Sequence, residues 1–242
     1  MTYCVGVLVN EGVVFASDSR TNAGVDNFAQ FCKMAVFERP GDRVIVLLSS
    51  GGLAGTQAIL SVLKQRAETD DGKPSLWTAR TMFDVARVIS DATREVEERD
   101  AAWLKGANLS FNASFIFGGQ IKGEPMRLFR TYAETNFIEA ERDTPFLQTG
   151  ETKYGKPILD RVIEATTSIE DAAKCVLVSF DSTMRSNLSV AMPIDLLCYE
   201  KDSFVATHRR RLDVGDEYFT KLSSSWSEGV RRVFTGLPNP KW

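Results

Sequence analysis

The chain has 242 residues and a net charge of −3, with 43% hydrophobic and 25% charged residues. That suits one large domain or two small ones and gives no support for a nucleic-acid binder, which carries a basic surplus. No apolar stretch approaches the roughly 18–20 residues of a membrane span, and the start lacks the basic-then-apolar pattern of a secretory signal, so the expected location is the cytoplasm, with no membrane partner. One histidine, His208, rules out a histidine-rich metal site and leaves a single candidate for a Ser-His-Asp triad. It closes the strand-like run Ser203–His208 and reads better as a packed or surface residue; the run His208-Arg209-Arg210-Arg211 reads as a solvated turn or a subunit contact. Cys4, Cys32, Cys175 and Cys198 form no CxxC pair and read as free, mostly buried thiols of a reducing compartment.

In chain order, Tyr3–Val9 and Gly12–Asp18 are β-branched runs joined by a turn at Asn10-Glu11-Gly12, a hairpin in which paired numbers sum to roughly 20 or 21. Both are apolar at nearly every position, so their sheet needs a layer on each face. Thr21–Ala29 reads as a loop, Phe31–Arg39 as a strand pair around Lys33, and Arg43–Ser49 as an apolar strand that stops at Ser50-Gly51-Gly52. Helical spacing predicts Ala54–Ala67 and Trp77–Glu98, separated by a polar loop at Thr69–Lys73. Phe111–Phe117 alternates as a strand, Gly118–Pro125 reads as a hairpin loop, and Met126–Tyr132, Phe137–Glu139 and Phe146–Gln148 as further strands. A helix at Lys156–Ala165 is followed by one opened by a capping box at Thr167 and Glu170 and running to about Asp181. Ser189–Tyr199 and Phe204–His208 read as strands, Asp216–Val233 as a helix, and 235–242 as a short mobile tail. Grouped strands alternating with grouped helices favour an α+β, four-layer αββα sandwich, expected as one domain over 1–242.

Four residues converge on one chemistry. A small residue at position 2 normally lets Met1 be trimmed, which exposes Thr2 with a hydroxyl nucleophile and a free α-amine of pKa near 8. That amine can act as base without any histidine. The hairpin count sets Thr2 beside Asp18 and Ser19. Lys33 sits in the apolar run Phe31-Cys32-Lys33-Met34-Ala35-Val36, where a solvated charge is unexpected; a buried ammonium there favours a free amine and an alkoxide, and Asp18 balances it. Gly51, where a strand gives way to a helix, is the candidate oxyanion donor. A phosphate-binding turn at Gly51-Gly52 is the rival, although neither GxxxxGK[ST] nor a full GxGxxG is present.

Thr2, Ser17-Asp18-Ser19-Arg20, Lys33 and Ser49-Ser50-Gly51-Gly52 together resemble the N-terminal nucleophile (Ntn) hydrolases, specifically proteasome β-type subunits and most closely the bacterial Anbu, or ancestral β-subunit, group. The resemblance implies the αββα sandwich and a threonine-type peptidase or amidase that acts on a peptide or amide substrate by acyl transfer, with no metal or organic cofactor. It implies a large homo-oligomer, a ring or an open ring-like spiral, and leaves open whether an ATPase feeds it. It also implies a polar cluster under the terminal amine: Asp181 with Ser182 or Ser186, and a second support at Thr149-Gly150. Arg20, Thr21 and Leu53 match pocket positions of the family. The alternative is an assembly or binding subunit with a vestigial pocket.

Overall fold

The computed structural model describes residues 2–22, 28–69, 72–106, 110–132 and 136–242. Met1 and parts of the two expected loops, at 23–27 and 70–71, lie outside them. β1 (Tyr3–Val9) and β2 (Gly12–Asp18) form the expected hairpin, and their pairs, from Cys4 with Ser17 to Val9 with Gly12, sum to 21. Gly12 is required by a close approach, since a Cβ there would lie 2.2 Å from the Tyr199 carbonyl.

β10 (Phe146–Gly150) joins the free edge of β1, while β11 (Ile194–Glu200) and β12 (His208–Leu212) extend the sheet beyond β2, in the order β10-β1-β2-β11-β12. The second sheet runs β5 (Met34–Arg39), β6 (Arg43–Gly51), β7 (Ala113–Ile121), β8 (Arg127–Thr131), β9 (Phe137–Glu139). Every pairing in both sheets is antiparallel. Helices α1 (Leu53–Glu68) and α2 (Met82–Gly106) cover the second sheet, with Ile59, Leu63, Val85 and Ile89 packed on Ile45, Leu47, Phe115 and Phe117. Helices α3 (Lys156–Val162), α4 (Ile169–Ser186) and α5 (Glu217–Thr235) cover the first, where Leu159, Val176, Phe180 and Phe219 meet Tyr3, Val5, Val14 and Ile194. Between the sheets lies a third apolar layer, including Cys4, Phe15, Val46, Leu48, Ile116, Leu128 and Leu197. This is the αββα sandwich.

Several boundaries differ from the sequence reading for physical reasons. Part of the expected Thr21–Ala29 loop is a small hairpin, β3 (Arg20–Asn22) with β4 (Phe28–Gln30). β7 runs through Gly118-Gly119, which resembles a turn signal; a Cβ on Gly119 would stand 1.9 Å from the Val44 carbonyl, so the glycine serves sheet contact. α2 starts at Met82 because Thr81 and Asp84 form a reciprocal cap, Asp84 N–H to Thr81 Oγ1 at 3.1 Å and Thr81 N–H to Asp84 Oδ2 at 3.2 Å. α4 is capped by Ser168, which accepts from Asp171 N–H at 3.2 Å, whereas Thr167 accepts from Glu164 N–H. His208 opens the last strand and does not close it: β12 carries the basic run along the sheet edge, with His208 against Glu200 at 2.8 Å and Arg210 against Asp216 at 2.8 Å. Charged edges discourage pairing with another sheet. Among the described residues, no helix is long and apolar enough to cross a membrane.

Candidate functional site

The ends of β6, β8 and β10 and the starts of β1, β7 and α1 meet around a cavity of about 590 Å³. Thr2, Lys33, Gly51 and Thr149 line it, with Thr21 and Leu53. Arg20 does not; its Nη1 donates to the Leu188 carbonyl at 2.9 Å. Thr2 is half-buried and held by main chain, since its carbonyl accepts Glu151 N–H at 2.7 Å. The next residue anchors the strand: Gln148 donates to Tyr3 Oη at 2.7 Å, and Ser179 of α4 lies 3.0 Å from the same oxygen.

Beneath Thr2 is a buried ion pair. Lys33 Nζ donates to Asp18 Oδ1 at 2.8 Å and to the Arg20 carbonyl at 2.6 Å. Asp18 Oδ1 also accepts Tyr3 N–H at 2.9 Å, while Oδ2 is buried without a hydrogen-bond partner. Asp18 is fully buried and Lys33 is 6% exposed. Burial pushes the Asp18 carboxyl above its usual range, and the Lys33 ammonium and the Tyr3 N–H pull it back.

Gly51 ends β6 at φ +105°, where a Cβ would lie 2.4 Å from the Asn112 carbonyl. Gly52 N–H is consumed by that carbonyl at 2.7 Å. Ladder alternation turns Gly51 N–H toward the opposite edge, the one where Ser49 N–H meets the Lys33 carbonyl at 2.9 Å. Thr149 joins a chain of hydroxyls: its Oγ1 lies 2.8 Å from Ser50 Oγ and donates to Ser114 Oγ at 3.2 Å.

The other expected supports lie elsewhere. Asp181 faces α5, accepting from Ser223 Oγ at 2.7 Å and Arg185 Nε at 3.1 Å. Ser182 is half-buried and Ser186 exposed, and neither lines the cavity. Glu151, whose N–H meets the Thr2 carbonyl, accepts from Asn187 Nδ2 at 2.9 Å, although neither of the two lines the cavity. Sequence reasoning missed both residues. The available signal was Glu151 itself, a lone acid just past an apolar strand; Asn187 follows Ser186 directly. Among the described residues there is no His, Cys, Asp and Glu grouping that could hold a metal ion.

No family model and no curated protein matches the chain. Solved structures do. Anbu (Gly-1) mutant from Hyphomicrobium sp. strain MC1 is 51% identical, covering 100% of both chains with a TM-score of 0.94. Anbu from Yersinia bercovieri is 44% identical over 99% of both chains, with a TM-score of 0.93. A helical assembly of the Anbu complex from Pseudomonas aeruginosa contains a chain 46% identical, over 99% of this chain and 98% of that one, with a TM-score of 0.94. With identity at this level across the full length, the chain belongs to the Anbu (ancestral β-subunit) family, a proteasome-like Ntn hydrolase group.

Proposed function

We propose that the chain is an N-terminal threonine hydrolase of the peptidase or amidase type. The observation that carries this reading is the buried Lys33–Asp18 pair beneath Thr2, in one cavity with the turn at Gly51. After Met1 is removed, Thr2 Oγ1 attacks the substrate carbonyl and its proton passes to the α-amine. Gly51 N–H stabilises the oxyanion. The α-ammonium then gives the proton to the departing amine as the C–N bond breaks, leaving an ester on Thr2. Water attacks that ester, with the α-amine as base, and releases the acid. The Lys33 charge favours both the free amine and the developing alkoxide, and Asp18 balances that charge. This chemistry asks for no metal or organic cofactor.

Intact mass after incubation with a peptide epoxyketone tests the reading, because that electrophile needs both the hydroxyl and the amine of Thr2. Loss of Met1 with one adduct, absent in Thr2→Ala, is expected. Retained Met1, or an adduct that survives Thr2→Ala, overturns the reading and favours an assembly subunit with a vestigial pocket.

We further propose a large cytoplasmic homo-oligomer. The Pseudomonas aeruginosa relative is described as a helical assembly. In addition, α5 exposes Val230, Val233 and Phe234 at 48%, 65% and 73%, an apolar stripe at helical spacing that suits subunit contact. Light scattering is expected to show a large species that Val233→Glu with Phe234→Glu reduces in size; a monomeric parent protein contradicts this.

A further inference from the structure

The cavity carries a second cation that the proposed chemistry does not use. Along β8, residues alternate between the two faces of the sheet: Phe129 packs toward the helices, while Leu128 points into the layer between the sheets. Arg130 shares the Leu128 face and pairs in register with Ile116, also of the inter-sheet layer. Its guanidinium therefore stands at the inner wall of the cavity. It lies over the Tyr132 ring, 4.9 Å from the centroid. Stacking occupies the face of the guanidinium and leaves its edge of N–H donors open.

One donor of that edge is unsatisfied. Arg130 Nε is buried with no hydrogen-bond partner, and among the described residues no carboxylate forms an ion pair with Arg130. A buried charged donor left unpaired is costly, and in a native fold it calls for an explanation. Lys33, which also lines the cavity, is neutralised by Asp18. No Asp or Glu is among the described residues that line the cavity, and the wall near Arg130 is hydroxylic, with Ser50, Ser114 and Thr149. Among the described residues, no carboxylate of the cavity wall faces Arg130, in a cavity of a size that takes a short peptide or a small amide.

We propose that Arg130 is a specificity residue and that the substrate of the Thr2 site carries a carboxylate, which the guanidinium edge receives in a bidentate pair. The inference rests on the threonine-hydrolase reading for the nature of the substrate, while its geometry is independent of catalysis. The carboxylate belongs either to an acidic side chain or to a free C-terminus; both present the same planar anion.

Binding to the Thr2→Ala protein, measured by ligand-observed NMR, separates these sources without turnover. Three peptides serve as probes: acetyl-Ala-Ala-Glu amide, acetyl-Ala-Ala-Gln with a free C-terminus, and acetyl-Ala-Ala-Gln amide. One of the acids is expected to bind about tenfold more tightly than the neutral peptide, in line with a charge-assisted pair. Arg130→Met should abolish the preference, and Arg130→Lys should keep part of it. Equal binding of all three peptides, no saturable binding of any, or a preference that survives Arg130→Met overturns the proposal. A positive result here with no epoxyketone adduct on the parent protein would fault the catalytic reading alone.

Discussion

Replacing Lys33 with methionine keeps the aliphatic stem and removes the charge under Thr2. Asp18 would then keep Tyr3 N–H as its one donor, with Oδ2 already unpartnered. Removing one member of a buried pair costs about 3–5 kcal/mol, a large share of the roughly 5–15 kcal/mol that stabilises a typical domain. The cost should depend on pH, with a definite sign. Burial already holds the Asp18 carboxyl above its usual range, against the pull of Lys33. A carboxyl raised on folding binds its proton more tightly in the folded chain. Its stabilising contribution is therefore complete below the unfolded value of about 3.9 and is lost as pH rises through the folded value. Without Lys33 the folded value moves further up, so the deficit of Lys33→Met relative to the parent protein should widen as pH rises through and beyond the parent's folded value. Urea unfolding at fixed protein concentration measures it, since assembly would otherwise shift the midpoint. Asp18→Asn and the double variant complete a cycle, in which the double should lose at least about 1 kcal/mol less than the sum of the singles. Additive costs, or a deficit that does not change with pH, would refute the coupling on which the site reading rests.

Gly51→Ala forces a side chain onto a φ of +105° and into the Asn112 carbonyl, and should cost on the order of 1–3 kcal/mol and slow epoxyketone labelling. Gly52→Ala, whose Cβ would lie 3.4 Å from the same oxygen, should be milder; thermal unfolding that ranks the two equally contradicts the strain argument. Because Thr2 turns its carbonyl toward Glu151, its nitrogen faces the same edge, so Glu151→Gln should lower the pKa of the α-amine and move the pH profile of labelling downward. An unchanged profile would mean that Glu151 serves only to hold Asn187. Burial pushes the Cys175 thiol up to about 12 and Cys198 up to about 11, and raises buried Cys4 as well. Burial raises Cys32 too, yet it is the exposed thiol, so a reagent near neutral pH should modify Cys32 first and the others only on unfolding, as counted by intact mass.

The parts of the site that were legible in the sequence are those fixed by local pairing. One tight turn sets the β1–β2 register, so arithmetic alone places Thr2 beside Asp18 and Ser19, and the apolar run around Lys33 leaves its ammonium little choice but a buried carboxylate. The layers were legible for a similar reason, since strands apolar on both faces demand cover on each side. Thr149 reached the site through family position, and the structure gives it hydroxyl partners on the opposite sheet. Asp181 failed on helical phase. It lies one turn before Arg185, and the face of α4 that carries both turns to Ser223 of α5 and away from the cavity. Glu151 failed on distance. Its partnership with Thr2 depends on β10 arriving at the outer edge of β1 from the other half of the chain, and no local signal encodes that register. Arg130 was silent because one charge at the end of an alternating strand looks like a solvent-facing position until the second sheet is laid over it. Strand phase put Arg130 on the inter-sheet face, but only the stacking of the two sheets made that face the wall of a cavity, and only then does an unpartnered Arg130 Nε in the cavity of a proposed nucleophile become a statement about substrate.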